Sequence, residues 1–506
     1  MTTPLQPQQD NAKQGVEPSP HQQQVLDRIK LFVLNPNEQV FVLKGYAGTG
    51  KTTLMQFLMQ WMLKDVKVKD KFQPSLCATT GRAAKVLRDK TGYETSTVHS
   101  FIYRFTDLSH DLEKLAAEIR QPQVNPKTNQ LTLLFDLRPP AEYHEDQKKQ
   151  VIIIDEASML SDENSGGDQP ALFGTGKLLT DLMNYAKQCK IVFVGDVCQL
   201  PPIEQPNSPA LDEDYIRHKF ACNTASAELT EIHRQQKDHS ILKLSMPLRH
   251  FVNHPQPGPF GSLPAKGLSN IHIHSDRDEL IDEYIKILKE YGYNEAIFIT
   301  RTNAFNYHIS NYIRKQLGFL SNLPMVGDLL QITQNNYLVP LVNGDFVEVT
   351  AIGQMKVQAN LPYLEVTVKT LHNDNYHQSL LSLSPLTRVM PNLTSDEHRE
   401  MYIDFYYRMK EKGIKQRTPA FEEAMRQDPY LNSLRAAYGY AVTCNKSQGG
   451  EWKKVYLHME TKIQGMGKPR IYRWWYTAIT RSQQELHLAD DIFISNYYQP
   501  NTTLKY

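Results

Sequence analysis

The sequence predicts an α/β protein with two parallel-sheet domains, each interrupted by an insertion. Three observations carry this prediction. Continuous apolar strands alternate with helices twice over, from about residue 19 to 235 and again from about 270 onward. A glycine-rich turn, "GYAGTGKTTL", lies between the first strand and its following helix. Two long stretches, 103–148 and 326–430, break the alternation and are too long for plain connections. A chain of 506 residues also exceeds what one core usually holds.

Residues 1–18 are Gln- and Pro-rich and poor in large apolar residues, which predicts a disordered tail. "PSPHQQQVLDRIKLFVL" then reads as a capped helix offering Val25, Ile29, Leu31 and Phe32 to a core. "QVFVLKG" is a short buried strand and "KTTLMQFLMQWML" the helix after it. "PSLCATT", "GRAAKVLRDK", "VIIIDEA", "KLLTDLMNYAKQC" and "IVFVGD" complete a first domain over 19–235. Within it, 103–148 is a small inserted element. There "QLTLLFDLR" reads as a strand, "NPKTN" as a hairpin turn, and Phe135 as an exposed contact for a partner.

The second domain comprises 236–325 and 431–506, with strands "NIHIHS", "AIFIT", "AYGYAVT", "KVYLHM" and "ELHLAD", and helices to about 292, over Asn303–Leu317 and around "RWWYTAIT". Its insertion, 326–430, opens with "VGDLLQITQNN" and "LVNGDFVEV". Their turns and strand-like alternation predict a small β-barrel, followed by charged helices over 395–427.

The formal net charge of +1 leaves no global electrostatic footprint, so a nucleic-acid partner has to be argued from local motifs. Five scattered cysteines, Cys77, Cys189, Cys198, Cys222 and Cys444, never form C-x-x-C. This argues against a disulfide framework, a cysteine zinc site or an iron–sulfur cluster, and fits a reducing cytoplasm. No apolar run reaches membrane-spanning length, and the first residues lack an apolar signal core. A soluble, cytoplasmic protein with no membrane partner is expected.

The chemistry concentrates at three strand ends. In G-x-x-x-x-G-K-T, Gly45, Gly48 and Gly50 let backbone N–H groups approach phosphate, Lys51 reaches the terminal phosphates, and the Thr52 hydroxyl ligates Mg²⁺. Ala47, Thr49 and Thr53 complete the nucleotide cradle. "VIIIDEAS" places Asp155 beside the metal, directly or through a ligand, and Glu156 where it orients and deprotonates the attacking water. "VFVGDVCQLPPI" puts Asp196 and Gln199 at the carboxyl edge of a third strand. Gln199 there reads equally well as a γ-phosphate sensor or as part of a tight turn. His272 and His274 share a strand face without a carboxylate or cysteine at ligand spacing, and read as ordinary strand residues. Tyr472, Trp474, Trp475 and Tyr476 read either as rings that stack on bases or, at least as well, as core with one ring near the nucleotide.

In order, "GYAGTGKTT", "ATTGRAAKVL", "TSTVHSF", "VIIIDEASM", "GDVCQLPPI", "LTEIHRQ", "YAVTCNKSQGGEW" and "WWYTAITRS" resemble the motifs of superfamily 1 helicases of the RecD/Dda-like group. The resemblance spans 19 to about 490. It implies two RecA-like domains with ATP between them, and DNA unwinding in the 5′-to-3′ direction. It implies that Gln22 reads adenine, that Gln199 senses the γ-phosphate, and that Arg234 and Arg481 reach that phosphate from across the cleft. Thr79, Thr80, Arg82, Thr97 and His99 would line a single-strand channel, faced by Thr443, Lys446, Ser447 and Gln448 of the second domain.

Such hydroxyls, amides and cations hold phosphates without reading sequence. Asn445 stands where many relatives have His and is left out of the contact set. The insert 103–148 falls where relatives carry a duplex-splitting wedge or pin, and 326–430 where they carry a DNA-clamping barrel. The implied partners are single-stranded and forked DNA, the implied cofactors ATP and Mg²⁺, and the implied acting form a monomer. Two alternatives are an RNA-directed helicase of the same superfamily and a P-loop ATPase that remodels proteins.

Overall fold

A computed structural model describes residues 17–119, 131–139, 148–164, 170–231, 240–489 and 493–498. Arg234, the turn "NPKTN" and nearly all of the N-terminal tail lie outside the described residues. The architecture is mixed α/β and is organised around two parallel sheets.

The first sheet has six strands in the order Thr95–Thr97, Phe72–Ala78, Lys149–Asp155, Lys190–Gly195, Val40–Gly45, Thr224–Leu229, all parallel. Its central strands are unbroken β-branched and apolar runs because both faces are covered. On one face Val25, Ile29 and Phe32 of helix Pro20–Leu34 pack with Leu54 and Leu58 of helix Lys51–Lys64. On the other, Leu179, Leu182 and Ile216 pack against Ile152 and Phe193. Leu31, expected in this core, is 63% exposed, because the helix turns its residue 31 position away from the sheet.

The second sheet has five parallel strands in the order Ile271–His274, Ser482–Ala489, Trp452–Leu457, Ala296–Thr300, Ala441–Thr443. Helices Ser240–Asn253 and Arg470–Ile479 cover one face through Leu244, Leu248, Ile471 and Trp475. The same apolar cluster contains Ala47, Cys198 and Leu200 of the first unit. One continuous core therefore crosses the cleft between the two sheets.

A third, antiparallel sheet runs Tyr376–Ser382, Leu361–Thr370, Phe346–Gln358, Leu329–Ile332, Ala436–Tyr438. A bridge from Leu381 to Leu434 joins its two edges, so the ladder closes on itself. The run "AYGYAVT", read as one strand, is thus two strands in two different sheets. Gly439 separates them: a Cβ there would lie 3.1 Å from the backbone at Leu330 and Gln331, closer than a side chain ordinarily sits against main chain. The antiparallel unit consequently extends to Tyr438, past residue 430.

Within 103–148, Tyr103–Leu108 pairs antiparallel with Leu133–Leu137, and a third strand, Ala171–Phe173, joins from beyond the insert. Phe135 is not a free contact. Its ring stacks on Phe173 with centroids 4.5 Å apart and meets the edge of Phe105. Helix Leu112–Ile119 carries Leu112 and Leu115 into a cluster with Tyr402, Phe405, Met409 and Phe421, so the insert docks on helices Ser395–Glu411 and Pro419–Gln427.

Candidate nucleotide site and strand channel

The loop from Gly45 to Thr52 leaves the central strand and becomes the N-terminus of a long helix. Gly48 and Gly50 take φ of 82° and 81°, a left-handed backbone that keeps successive N–H groups turned inward. At Gly45 a Cβ would lie 3.0 Å from Thr49 Oγ1 and 3.1 Å from the Lys51 chain. The Lys51 ammonium sits over the loop, donating to the carbonyl oxygens of Gly45 (2.7 Å) and Tyr46 (3.0 Å). Thr52 and Thr53 form the first turn of helix Lys51–Lys64. Gln22 is buried at the start of its helix. Its Oε1 accepts from Ser19 N–H, closing a capping box, and its Nε2 reaches Thr49 O at 3.5 Å.

Asp155 and Glu156 end the neighbouring strand. Glu156 takes a positive φ of 52°, and Asp155 Oδ1 accepts its N–H at 2.9 Å. Burial, and then the Glu156 charge, push the Asp155 carboxyl up to about 7 against the pull of Lys51. Glu156 Oε2 and Gln199 Oε1 are buried and have no hydrogen-bond partner among the described residues. A glycine cradle at a helix N-terminus, a lysine, and paired half-buried carboxylates fit a nucleoside triphosphate with a divalent cation.

The second unit closes the site. Tyr476 is buried; its hydroxyl accepts from Ala47 N–H (3.0 Å) and donates to Asp196 Oδ2 (2.7 Å). Tyr472, Trp474, Trp475 and Tyr476 all belong to one apolar core cluster, and of the four Tyr476 is the one bonded to the phosphate loop. Leu200 N–H donates to Thr477 Oγ1 (2.9 Å), and Gln448 Nε2 donates to Leu200 O (3.3 Å). Arg481 does not reach across. Its guanidinium is buried and donates to Thr477 O, Gly450 O and Thr480 Oγ1 within its own unit. Two arginines that sequence reasoning missed do cross: Arg473 donates to Val197 O (2.8 Å), and Arg249 lies 4.3 Å over the Tyr46 ring. Both sit inside amphipathic helical patterns, so nothing in their spacing marked them.

Of the channel set, Thr80 and Thr97 cap the helices that follow their strands. The Thr79 hydroxyl reaches Glu156 O, and His99 packs against Tyr103 and Phe173. Thr443 and Ser447 are buried around the short helix Cys444–Ser447, and Lys446 lines a groove with Asn303, Tyr307, Arg388 and Tyr438. Arg82 lies inside the junction, not on an open wall. Its guanidinium stacks between Trp452 (4.3 Å) and Phe346 (5.0 Å), and its Nη1 has no hydrogen-bond partner among the described residues.

Fold and site together define a P-loop nucleotide-hydrolysing protein with two parallel-sheet units meeting over the phosphate loop. A family model described as an AAA domain matches residues 18–253, and one described as a UvrD-like helicase C-terminal domain matches residues 438–489. Its likeness is to superfamily 1 helicases of the RecD/Dda-like group. The chain is 22% identical to the uncharacterized protein R530 of Acanthamoeba polyphaga mimivirus over 515 residues, 92% of this chain and 98% of that one. It is 29% identical to the ATP-dependent DNA helicase dda of Enterobacteria phage T4 over 194 residues, spanning 38% of this chain and 34% of dda. Among solved structures, Pif1 helicase from Bacteroides in complex with ADP-AlF3 and ssDNA aligns over 96% of this chain and 95% of that one, at 17% identity and a TM-score of 0.48.

Proposed function

We propose that the protein is an ATP-dependent DNA helicase that moves 5′ to 3′ on single-stranded DNA and separates duplex ahead of it. The observation that carries this reading is the hydrogen-bonded path across the cleft. Ala47 and Asp196 meet Tyr476, Leu200 meets Thr477, and Gln448 of the channel motif meets Leu200. A change at the phosphate loop is thereby transmitted to a residue of the strand-gripping set.

ATP with Mg²⁺ supplies the free energy of hydrolysis, held by Gly45, Ala47, Gly48, Thr49, Gly50, Lys51, Thr52 and Thr53, with Asp155 beside the metal and Gln22 at the base. Glu156 orients and deprotonates the attacking water, Lys51 exchanges its loop carbonyls for phosphate oxygens, and Gln199 senses the γ-phosphate. Arg234 and Arg481 serve as the fingers. Arg481 does so by exchanging the carbonyls of Thr477 and Gly450, which requires closure of the cleft.

Thr79, Thr80, Thr97, His99, Thr443, Lys446, Ser447 and Gln448 grip DNA alternately, and Arg82 ties the first unit's grip to the second and third sheets. Insert 103–148 is the wedge, and the closed antiparallel sheet with its helices is the barrel that clamps DNA. Opening each base pair costs about 1.4 kcal/mol, small enough for a rigid wedge to couple to translocation. We assign action as a monomer. Five buried free cysteines fit a reducing cytoplasm, and no described helix is long and apolar enough to cross a membrane.

The test is strand separation on duplexes carrying a 5′ tail, a 3′ tail or both, in DNA and in RNA. Separation of 5′-tailed and forked DNA supports the proposal. Separation of 3′-tailed DNA alone refutes the polarity, and separation of RNA alone refutes the substrate. In parallel, Arg481→Ala is expected to bind nucleotide and lose hydrolysis; loss of binding would remove Arg481 from the finger role.

A further inference from the structure

We infer that His272, Glu485 and His487 form a binding site for a borderline divalent transition metal, Zn²⁺ first among them, on the second parallel sheet and outside the nucleotide cleft. Along the sequence His272 and His274 have no ligand at useful spacing. The fold supplies it by parallel pairing, which sets His272 directly beside His487 and brings Glu485 onto the same face. One ligand atom from each of the three residues falls within 4.8 Å of the others. Glu485 Oε2 lies 3.3 Å from His487 Nε2 and 3.9 Å from His272 Nε2. Ligand atoms around a tetrahedral Zn²⁺ at about 2.1 Å stand roughly 3.4 Å apart, so the widest separation closes by about 1.4 Å to complete the set.

The surroundings orient His487 as a metal ligand. His487 Nδ1 is 3.1 Å from His274 Nε2, and His274 Nδ1 is 3.8 Å from Glu279 Oε1. In the tautomer where His487 Nδ1–H donates to His274, the Nε2 lone pair faces the Glu485 carboxylate, an arrangement that a cation between them stabilises. Tyr456 stacks on the His487 ring at 4.3 Å with planes 12° apart, which fixes the plane of His487. The His272 ring stands 4.7 Å from that of His487 and 26° off parallel, so the half-exposed His272 turns about its side-chain bonds to bring its nitrogen onto the same ion. Two imidazoles and one carboxylate select Zn²⁺, Ni²⁺ or Cu²⁺ over Mg²⁺ or Ca²⁺ and leave a fourth position for water. Lys454 Nζ, 2.9 Å from Glu485 Oε2, is the competing cation and sets the affinity. His272 is half-exposed, which leaves an entry path.

The test is calorimetric titration of the untagged full chain with Zn²⁺ in saturating Mg²⁺, with Co²⁺ absorption reporting ligand type. One equivalent is expected. His272→Ala and Glu485→Gln should each weaken it roughly tenfold or more, and His274→Ala by about 10- to 100-fold. Lys454→Met should tighten it. His254→Ala, altering the separate stacked pair His250–His254, should leave it unchanged. Absence of stoichiometric binding overturns the inference, as does binding that His272→Ala or Glu485→Gln leaves within about twofold. Unchanged DNA-stimulated ATPase in His272→Ala is expected, and keeps this result distinct from failure of the helicase reading.

Discussion

At the phosphate loop the working groups come from one turn of chain, with Lys51 bonded to the carbonyls of Gly45 and Tyr46. Where the insert meets the helical arm they come from far apart: Lys410 and Glu113, paired at 2.7 Å, are separated by 297 residues. The loop needs particular residues at particular offsets, because backbone N–H groups must converge on phosphate. The insert contact needs only apolar area, which Leu112, Leu115, Phe405 and Phe421 provide with no signature in their spacing. In the proposed motor one region carries chemistry and the other transmits force, and they should fail differently.

The sharpest break in that contrast comes from Lys51→Ala. ATP turnover should fall by on the order of 10³ or more, with circular dichroism and melting unchanged; normal turnover would remove the loop from the reaction. Next, Tyr476→Phe strands the Ala47 N–H and relieves Asp196 of a donor, each interaction being worth about 1–3 kcal/mol when left unmet in a buried site. DNA-stimulated turnover should drop roughly tenfold, on the scale of that energy, while basal turnover drops less. Equal loss of both would mean that the hydroxyl shapes the loop but does not link the two units.

Phe405→Ala empties a fully buried position under the insert and should cost about 3–5 kcal/mol locally. Strand separation should fall several-fold on that account, with DNA-stimulated ATPase spared. Parallel loss of ATPase would show that the two regions are not separable. The smallest effect belongs to Lys410→Ala. Its pair with Glu113 is solvent-exposed, and unwinding and melting should not change measurably. A clear unwinding defect would show that the contact is electrostatic rather than apolar.

Both parallel sheets were legible because their buried strands are continuous apolar runs, and the candidate site because Gly45–Thr52, Asp155 and Glu156 stand at strand ends. What could not be read depends on distant pairing. "AYGYAVT" looks like one strand, and only the close backbone approach at Gly439 divides it between two sheets. Phe135 looks exposed until Phe173, from beyond the insert, stacks on it. Arg82 stands in a motif expected to line a channel yet packs between Trp452 and Phe346, rings contributed by two other sheets. Arg249 and Arg473 cross the cleft from helices whose periodicity marks only a buried face. His272 acquires its carboxylate through register alone.

Steady-state ATP hydrolysis with no nucleic acid, with single-stranded DNA and with single-stranded RNA, at one fixed low salt because phosphate contacts are salt-sensitive, probes the coupling most directly. Strong stimulation by DNA that disappears in Lys51→Ala is the expected result. Turnover unchanged by either nucleic acid would contradict the motor reading and leave the cross-cleft path coupled to some other output.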